Sequence, residues 1–223
     1  MTNHPIRVII ADDHPVVLDG LAALLNTAPE IAVVGIAQSF SILLDLLERV
    51  AADVLILDLS GMGGSPLTVV SRIQRDYLRL KVIVFSSSVD LAPELLQAGV
   101  VGYIPKEDFT NQLVTAIYTV SSGQQYLSPA VTDYLAQTTQ VHKQHRLAPK
   151  ELSVLKLLSH GHSTAEIAAQ LQIDQRSVQN YITVLRRKIG CHERTQLADW
   201  YRRVFGVPSD SEPDERIALC ENT

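Results

Sequence analysis

Short apolar runs alternate with helix-spaced aliphatic positions through the first half of the chain. Val8-Ile9-Ile10 is a β-branched run of the kind that forms a buried strand. Similar runs recur at residues 32–35, 54–57, 81–85 and 102–104. Between them, residues 16–25, 41–50, 66–75, a short 93–98 and 111–122 place apolar side chains at helical spacing. Five strands alternating with five helices predict an α/β, doubly wound parallel sheet covered on both faces. One such domain accounts for residues 1–129.

The pattern changes at Ser128-Pro129. Residues 130–146 are polar and rich in Gln and Thr, and read as a linker with a helix over 130–137. Residues 147–206 then predict a small all-α domain of four helices. Pro149 opens the first and Gly161 ends it, with Leu152, Leu155 and Leu158 as its stripe. Ser163-Thr164-Ala165-Glu166 is a capping box that starts a short helix to Leu171. Asp174 caps a third helix to Ile189, closed by Gly190. A final helix spans 195–205. Residues 207–223, with Pro208, Pro213 and five acids, predict an unstructured acidic tail.

Charge divides along the same lines. The net charge is −5. Counting His as neutral, residues 1–142 carry −7, residues 143–206 carry +6 and residues 207–223 carry −4. A basic segment behind an acidic domain directs the C-terminal part toward a polyanion. No apolar run is long enough for a membrane span, and residues 1–5 lack an export signature. Cys191 and Cys220 are the only cysteines, which fits a reducing cytoplasm. His142, His145, His160 and His162 have no acidic or Cys companions at ligand spacing and read as solvated loop residues.

In a doubly wound sheet, polar residues that follow apolar strands gather at the carboxyl edge, where ligands bind. Asp12-Asp13, Asp58, Ser86 and Lys106 occupy such positions. Three adjacent carboxylates need a proton or a cation between them. An oxygen-only set favours Mg²⁺. A carboxylate can also attack a phosphoryl donor, and an ammonium and a hydroxyl would stabilise the aspartyl phosphate.

The runs Ile9-Ile10-Ala11-Asp12-Asp13-His14-Pro15, Leu55-Ile56-Leu57-Asp58-Leu59, Val84-Phe85-Ser86 and Gly102-Tyr103-Ile104-Pro105-Lys106 resemble the receiver family, within its NarL/FixJ branch. The resemblance covers residues 5–129. It implies a flavodoxin-like receiver fold, with Asp58 as phosphoacceptor for a histidine kinase. Asp12, Asp13, Asp58 and the carbonyl of Ser60 would surround Mg²⁺, Ser86 and Lys106 would contact the phosphoryl group, and Tyr103 would be the switch aromatic. The sequence departs from the family at Met62, where a proline is usual, and in a Ser86–Lys106 interval about two residues short. The run Gly61-Met62-Gly63-Gly64 reads as a flexible loop.

Residues 147–206 resemble LuxR-type helix-turn-helix domains. The matching runs are Leu147-Ala148-Pro149-Lys150-Glu151, Glu166-Ile167-Ala168, Ser177-Val178-Gln179-Asn180-Tyr181 and Lys188-Ile189-Gly190. The resemblance implies binding of double-stranded DNA. Gln179, Asn180 and Thr183 would meet base edges, and Lys150, Arg176, Arg187 and Lys188 would meet phosphates. Most relatives carry a basic residue where Gln179 stands. The last helix would make a homodimer contact. The reading is therefore a phosphorylation-dependent transcription regulator of a two-component system, not an enzyme. Two alternatives stand beside it: a DNA binder indifferent to phosphate, and an aspartate-nucleophile phosphatase. The latter usually has a second acid where Ser60 stands.

Overall fold

The computed structural model describes residues 4–205, the side chains of 108–111 excepted. The predicted tail at 207–223 lies outside the described residues. The chain divides into two compact units, Met1–Leu135 and Ala136–Thr223.

The first unit runs β1 (Ile6–Ala11), α1 (Pro15–Leu25), β2 (Ile31–Ala37), α2 (Phe40–Arg49), β3 (Val54–Leu57), α3 (Pro66–Asp76), β4 (Lys81–Ser86), α4 (Ala92–Gln97), β5 (Gly102–Pro105), α5 (Phe109–Ser121) and β6 (Tyr126–Leu127). The strands pair in parallel in the order β2-β1-β3-β4-β5-β6. This is the flavodoxin-like order, in which the chain reverses its winding between β1 and β3. The sixth strand was not expected. It is two residues long and pairs only Tyr126 with Gly102 and Leu127 with Tyr103, too short to produce an apolar run.

The period of two in each strand separates two cores. Ile9, Ala11, Leu55 and Leu57 face α2, α3 and α4, where they meet Leu43, Leu47, Val70, Ile73 and Leu95. Val8, Ile10, Val54 and Ile56 face α1 and α5, meeting Leu18, Leu21, Leu25, Leu113 and Ile117. Burial on both faces explains why these strands are continuously apolar and not alternating. It also leaves the strand ends as the places where polar side chains can sit.

The segment read as a linker is helical over α6 (Pro129–His145), well beyond the expected 130–137. Val131 belongs to the first unit's core and Val141 to the second's. The division between the units falls inside this helix.

The second unit contains α7 (Pro149–Ser159), α8 (Thr164–Leu171), α9 (Gln175–Ile189) and α10 (Arg194–Phe205). Val154, Leu155, Ile167, Val178, Ile182, Leu185, Leu197 and Tyr201 form its core. Each fully buried aliphatic contributes about 2 kcal/mol in transfer free energy. Capping sets the helix boundaries. Glu166 N donates to Ser163 Oγ at 3.3 Å, and Ser163 N donates back to Glu166 Oε2 at 2.7 Å. Ser177 N donates to Asp174 Oδ1 at 2.8 Å. Gln172, at φ 52, turns the chain out of α8 and into α9. Among the described residues no helix is long and apolar enough to cross a membrane.

Candidate functional site

β1 and β3 are neighbours in register, Ala11 opposite Leu57. Their next residues, Asp12 and Asp58, therefore emerge side by side at the carboxyl edge. Asp58 N donates to Ala11 O at 2.8 Å, which extends the ladder by one rung. Both carboxylates are fully buried. Lys106 follows β5 and reaches between them, its Nζ 2.7 Å from Asp12 Oδ2 and 2.8 Å from Asp58 Oδ2. The ammonium also lies 5.6 Å from the centre of the Phe85 ring. Burial works against the charged ammonium. The hydrogen bonds to Asp12 and Asp58 outweigh it and hold the Lys106 pKa above the ordinary lysine value. The other oxygen of Asp58 accepts from Leu59 N at 2.7 Å.

Asp13 is half-buried at the same edge, and its Oδ1 accepts no well-aligned hydrogen bond. His14 Nδ1 lies 2.8 Å from that atom and 3.2 Å from Asp12 Oδ1. Ligand atoms of Asp12, Asp13, His14 and Asp58 all fall within 4.8 Å of one another. The expected oxygen-only set thus has an imidazole beside it. The sequence reading passed over His14, although the residue stands directly after the two acids. The Ser60 carbonyl accepts from Met62 N at 2.7 Å, which leaves it a second lone pair.

The glycine-rich run is not the free loop the sequence predicts. Met62 is buried in the first core, and its carbonyl accepts from Phe40 N at 3.1 Å. Gly61 has φ +65, and a Cβ there would lie 1.7 Å from Asp13 Oδ2. The chain can pass this close to Asp13 only because residue 61 lacks a side chain.

Ser86 and Tyr103 form a second group on β4 and β5. Ser88 N donates to Ser86 Oγ at 3.3 Å, and Tyr103 Oη donates to Ser88 O at 2.7 Å. Tyr103 is fully buried. That burial pushes its phenol well above the ordinary tyrosine pKa, against a hydrogen bond to Ser86 that pulls the other way.

In the second unit, Arg176, Gln179, Asn180, Thr183 and Arg187 are all exposed on α9. Val178, Ile182 and Leu185 are buried on the opposite face. Gln179 Nε2 donates to Thr164 Oγ1 at 3.2 Å, across the turn between α8 and α9. Lys150 is exposed on α7. Lys188 is engaged elsewhere. Its Nζ lies 2.8 and 2.6 Å from the two oxygens of buried Glu151 and 2.8 Å from Arg146 O. Glu151 Oε2 in turn accepts from Ala148 N at 2.7 Å and fixes the start of α7. This half-buried ammonium, expected at a phosphate, is held by one carboxylate and one carbonyl of its own domain. Two of the four histidines also differ from expectation. His142 and His145 lie in α6, His142 bonding Leu147 O at 2.7 Å and His145 meeting Trp200 edge-on at 5.0 Å.

Comparison with known proteins decides the family. Residues 8–118 match the family described as response regulator receiver domain. Residues 145–201 match the bacterial regulatory proteins of the luxR family. The transcriptional regulatory protein MctR of Rhizobium johnstonii is 31% identical over 193 residues, covering 85% of this chain and 90% of that protein. The chain belongs to the response regulators. A receiver joined to a LuxR-type domain makes it a DNA-binding regulator of a two-component system. The nitrate/nitrite response regulator NarL of Escherichia coli K12 is 28% identical over 211 residues, 90% of this response regulator and 98% of NarL. Among solved structures, RcsB of Salmonella enterica serovar Typhimurium, bound to a promoter in the presence of the phosphomimetic BeF₃⁻, is similar at a TM-score of 0.63 and 27% identity. The match covers 89% of this chain and 98% of that one.

Proposed function

We propose that Asp58 accepts a phosphoryl group from a histidine kinase, and that this controls pairing of two copies of the chain and their binding to double-stranded DNA. The observation that carries the reading is the Lys106 ammonium set between Asp12 and Asp58. A carboxylate oxygen of Asp58 attacks the phosphorus of phosphohistidine. The P–N bond breaks, and its electron pair returns to the imidazole, which takes up a proton. The acyl phosphate gains negative charge where Lys106 and the Ser86 hydroxyl can donate. Mg²⁺ fits this site: Asp12, Asp13 and Asp58 offer hard oxygens in one cluster, and the Ser60 carbonyl adds a neutral one. Once bound, the ion would supply charge neutralisation for the transferring group. Val16, 82% exposed at the start of α1, and the cleft formed by Val17, Gly20, Leu21 and Phe85 beside Lys106 offer an apolar approach for the kinase.

In this account the receiver comprises residues 1–129 and the DNA-binding domain residues 147–206, joined through 130–146. Gln179, Asn180 and Thr183 read base edges, while Lys150, Arg176 and Arg187 meet phosphates. The RcsB structures with DNA support this use of the second unit. The protein works as a cytoplasmic regulator and not as a turnover enzyme. The six-residue α4 favours a second reading, in which DNA binding does not wait for phosphate. Intact-mass measurement after incubation with Mg²⁺ and acetyl phosphate tests the acceptor. One phosphoryl group should appear on the wild type and none on Asp58→Ala. An equal gain on both would remove Asp58 from the role.

A further inference from the structure

The second unit presents positive charge that its own acids do not neutralise. Residues 143–206 carry a net +6. Part of that charge is already committed within the fold. Lys188 is held by Glu151, and Arg202 Nη1 lies 2.9 Å from Asp199 Oδ1. Arg194 donates to Thr164 Oγ1 at 2.9 Å. Lys150, Arg176 and Arg187 are exposed, and among the described residues none of the three pairs with a carboxylate. Two of them share α9 with the exposed amides of Gln179 and Asn180.

The same chain carries a segment of opposite sign directly after α10. Residues 207–223 hold Asp210, Glu212, Asp214, Glu215 and Glu221 against a single Arg216, a net −4. The luxR-family match ends at residue 201, before this segment begins. Linked to the end of α10 by 5 to 16 residues, the acids stand at an effective concentration in the millimolar range.

We propose that residues 207–223 compete with DNA for the face of α9 that bears Arg176, Gln179, Asn180 and Arg187. The partner chemistry is a short acidic peptide, supplied in cis, standing in for the phosphate backbone. The contact is weak by design of charge alone. A tail-to-surface Kd of about 0.1 mM against about 1 mM effective concentration would occlude the face roughly tenfold. Duplex DNA neutralises more charge than the tail and displaces it, so the tail weakens binding to every duplex by about the same factor. The effect is electrostatic and must fade as salt shortens the Debye length from about 10 Å at 0.1 M.

This inference rests on the DNA-binding role proposed above, and its test separates the two. Binding of a labelled DNA duplex is measured by fluorescence anisotropy, at low and high salt, for three proteins. These are the full chain, the chain ending at Gly206, and a full chain with Asp210→Asn, Glu212→Gln, Asp214→Asn, Glu215→Gln and Glu221→Gln. The shortened and neutralised proteins should bind about tenfold tighter at low salt, and the gap should close at high salt. Backbone amide resonances of Arg176, Gln179, Asn180 and Arg187 should also shift between the full and shortened chains. Equal affinities at all salts, or amide shifts confined to residues away from α9, would overturn the tail contact while leaving DNA binding intact. Failure of all three proteins to bind DNA would instead overturn the DNA-binding role, and the amide shifts would still decide the contact.

Discussion

Lys106 Nζ lies 2.7 Å from Asp12 Oδ2 and 2.8 Å from Asp58 Oδ2, so one ammonium holds two fully buried carboxylates side by side. Without it, one carboxylate would have to take up a proton or a metal ion. Lys106→Met should lower stability by about 3 kcal/mol in urea titrations at neutral pH without divalent ions. Added Mg²⁺ should recover part of that loss. The pKa of Lys106 is raised in the folded state. Its stabilising contribution is therefore complete below the unfolded value of about 10.4 and is lost as pH climbs through the higher folded value. The difference between wild type and variant should shrink as pH climbs through that strongly alkaline range. A difference that stays unchanged through it would contradict the arrangement.

Gly61 makes a separate prediction about the same edge. In Gly61→Ala the new methyl would meet Asp13 Oδ2, and the positive φ adds strain. Asp13 must swing away, so Mg²⁺ affinity measured by calorimetry should fall about tenfold or more. Gly63→Ala, where nothing lies within 4 Å of the added Cβ, is the control. It should lose about 1 kcal/mol of stability and keep its Mg²⁺ affinity.

Neighbouring basic residues on α9 should separate cleanly. Lys188→Met breaks the contact with Glu151 and leaves that carboxylate buried. It should cost about 2 kcal/mol of second-unit stability, discounted for the partial exposure of Lys188. Arg187→Ala should leave the melting curve in place. It should weaken DNA binding across all sequences and reduce the slope of log K against log salt by about 1. If Lys188→Met changes the salt slope and not the stability, its assignment to packing is wrong.

Acid should loosen the helix-turn-helix through its caps. Hydrogen bonds from Ser163 hold the Glu166 carboxyl below its ordinary pKa, and hydrogen bonds from Ser177 do the same for Asp174. Depressed carboxylates stabilise the fold above their unfolded pKa values, and that stabilisation is lost as pH falls through the folded ones. The second unit's melting temperature should drop below about pH 4. Glu166→Gln with Asp174→Asn should flatten that drop, as followed by Trp200 fluorescence.

Much of this was legible because apolar runs end in a particular polar residue. Asp58 directly follows Val54–Leu57, and Ser86 closes Lys81–Ser86, so the parallel sheet alone carries them to one edge. What could not be read depends on contacts between distant positions. β6 is too short to show as a run. α6 hides because its buried Val131 and Val141 sit among Gln and Thr, and its packing comes from elements elsewhere in the chain. Lys188 looks like Arg187 in sequence, and only the carboxylate of Glu151, 37 residues earlier, tells them apart. Gly61 reads as a loop residue until the position of Asp13 is known.

The central claim is that phosphate on Asp58 governs the DNA-binding domain. The most direct test measures DNA affinity of the full chain with and without Mg²⁺ and beryllium fluoride, beside Asp58→Ala. The account predicts tighter binding for the wild type when both are present and no response from the variant. Equal binding by both proteins in every condition would contradict it.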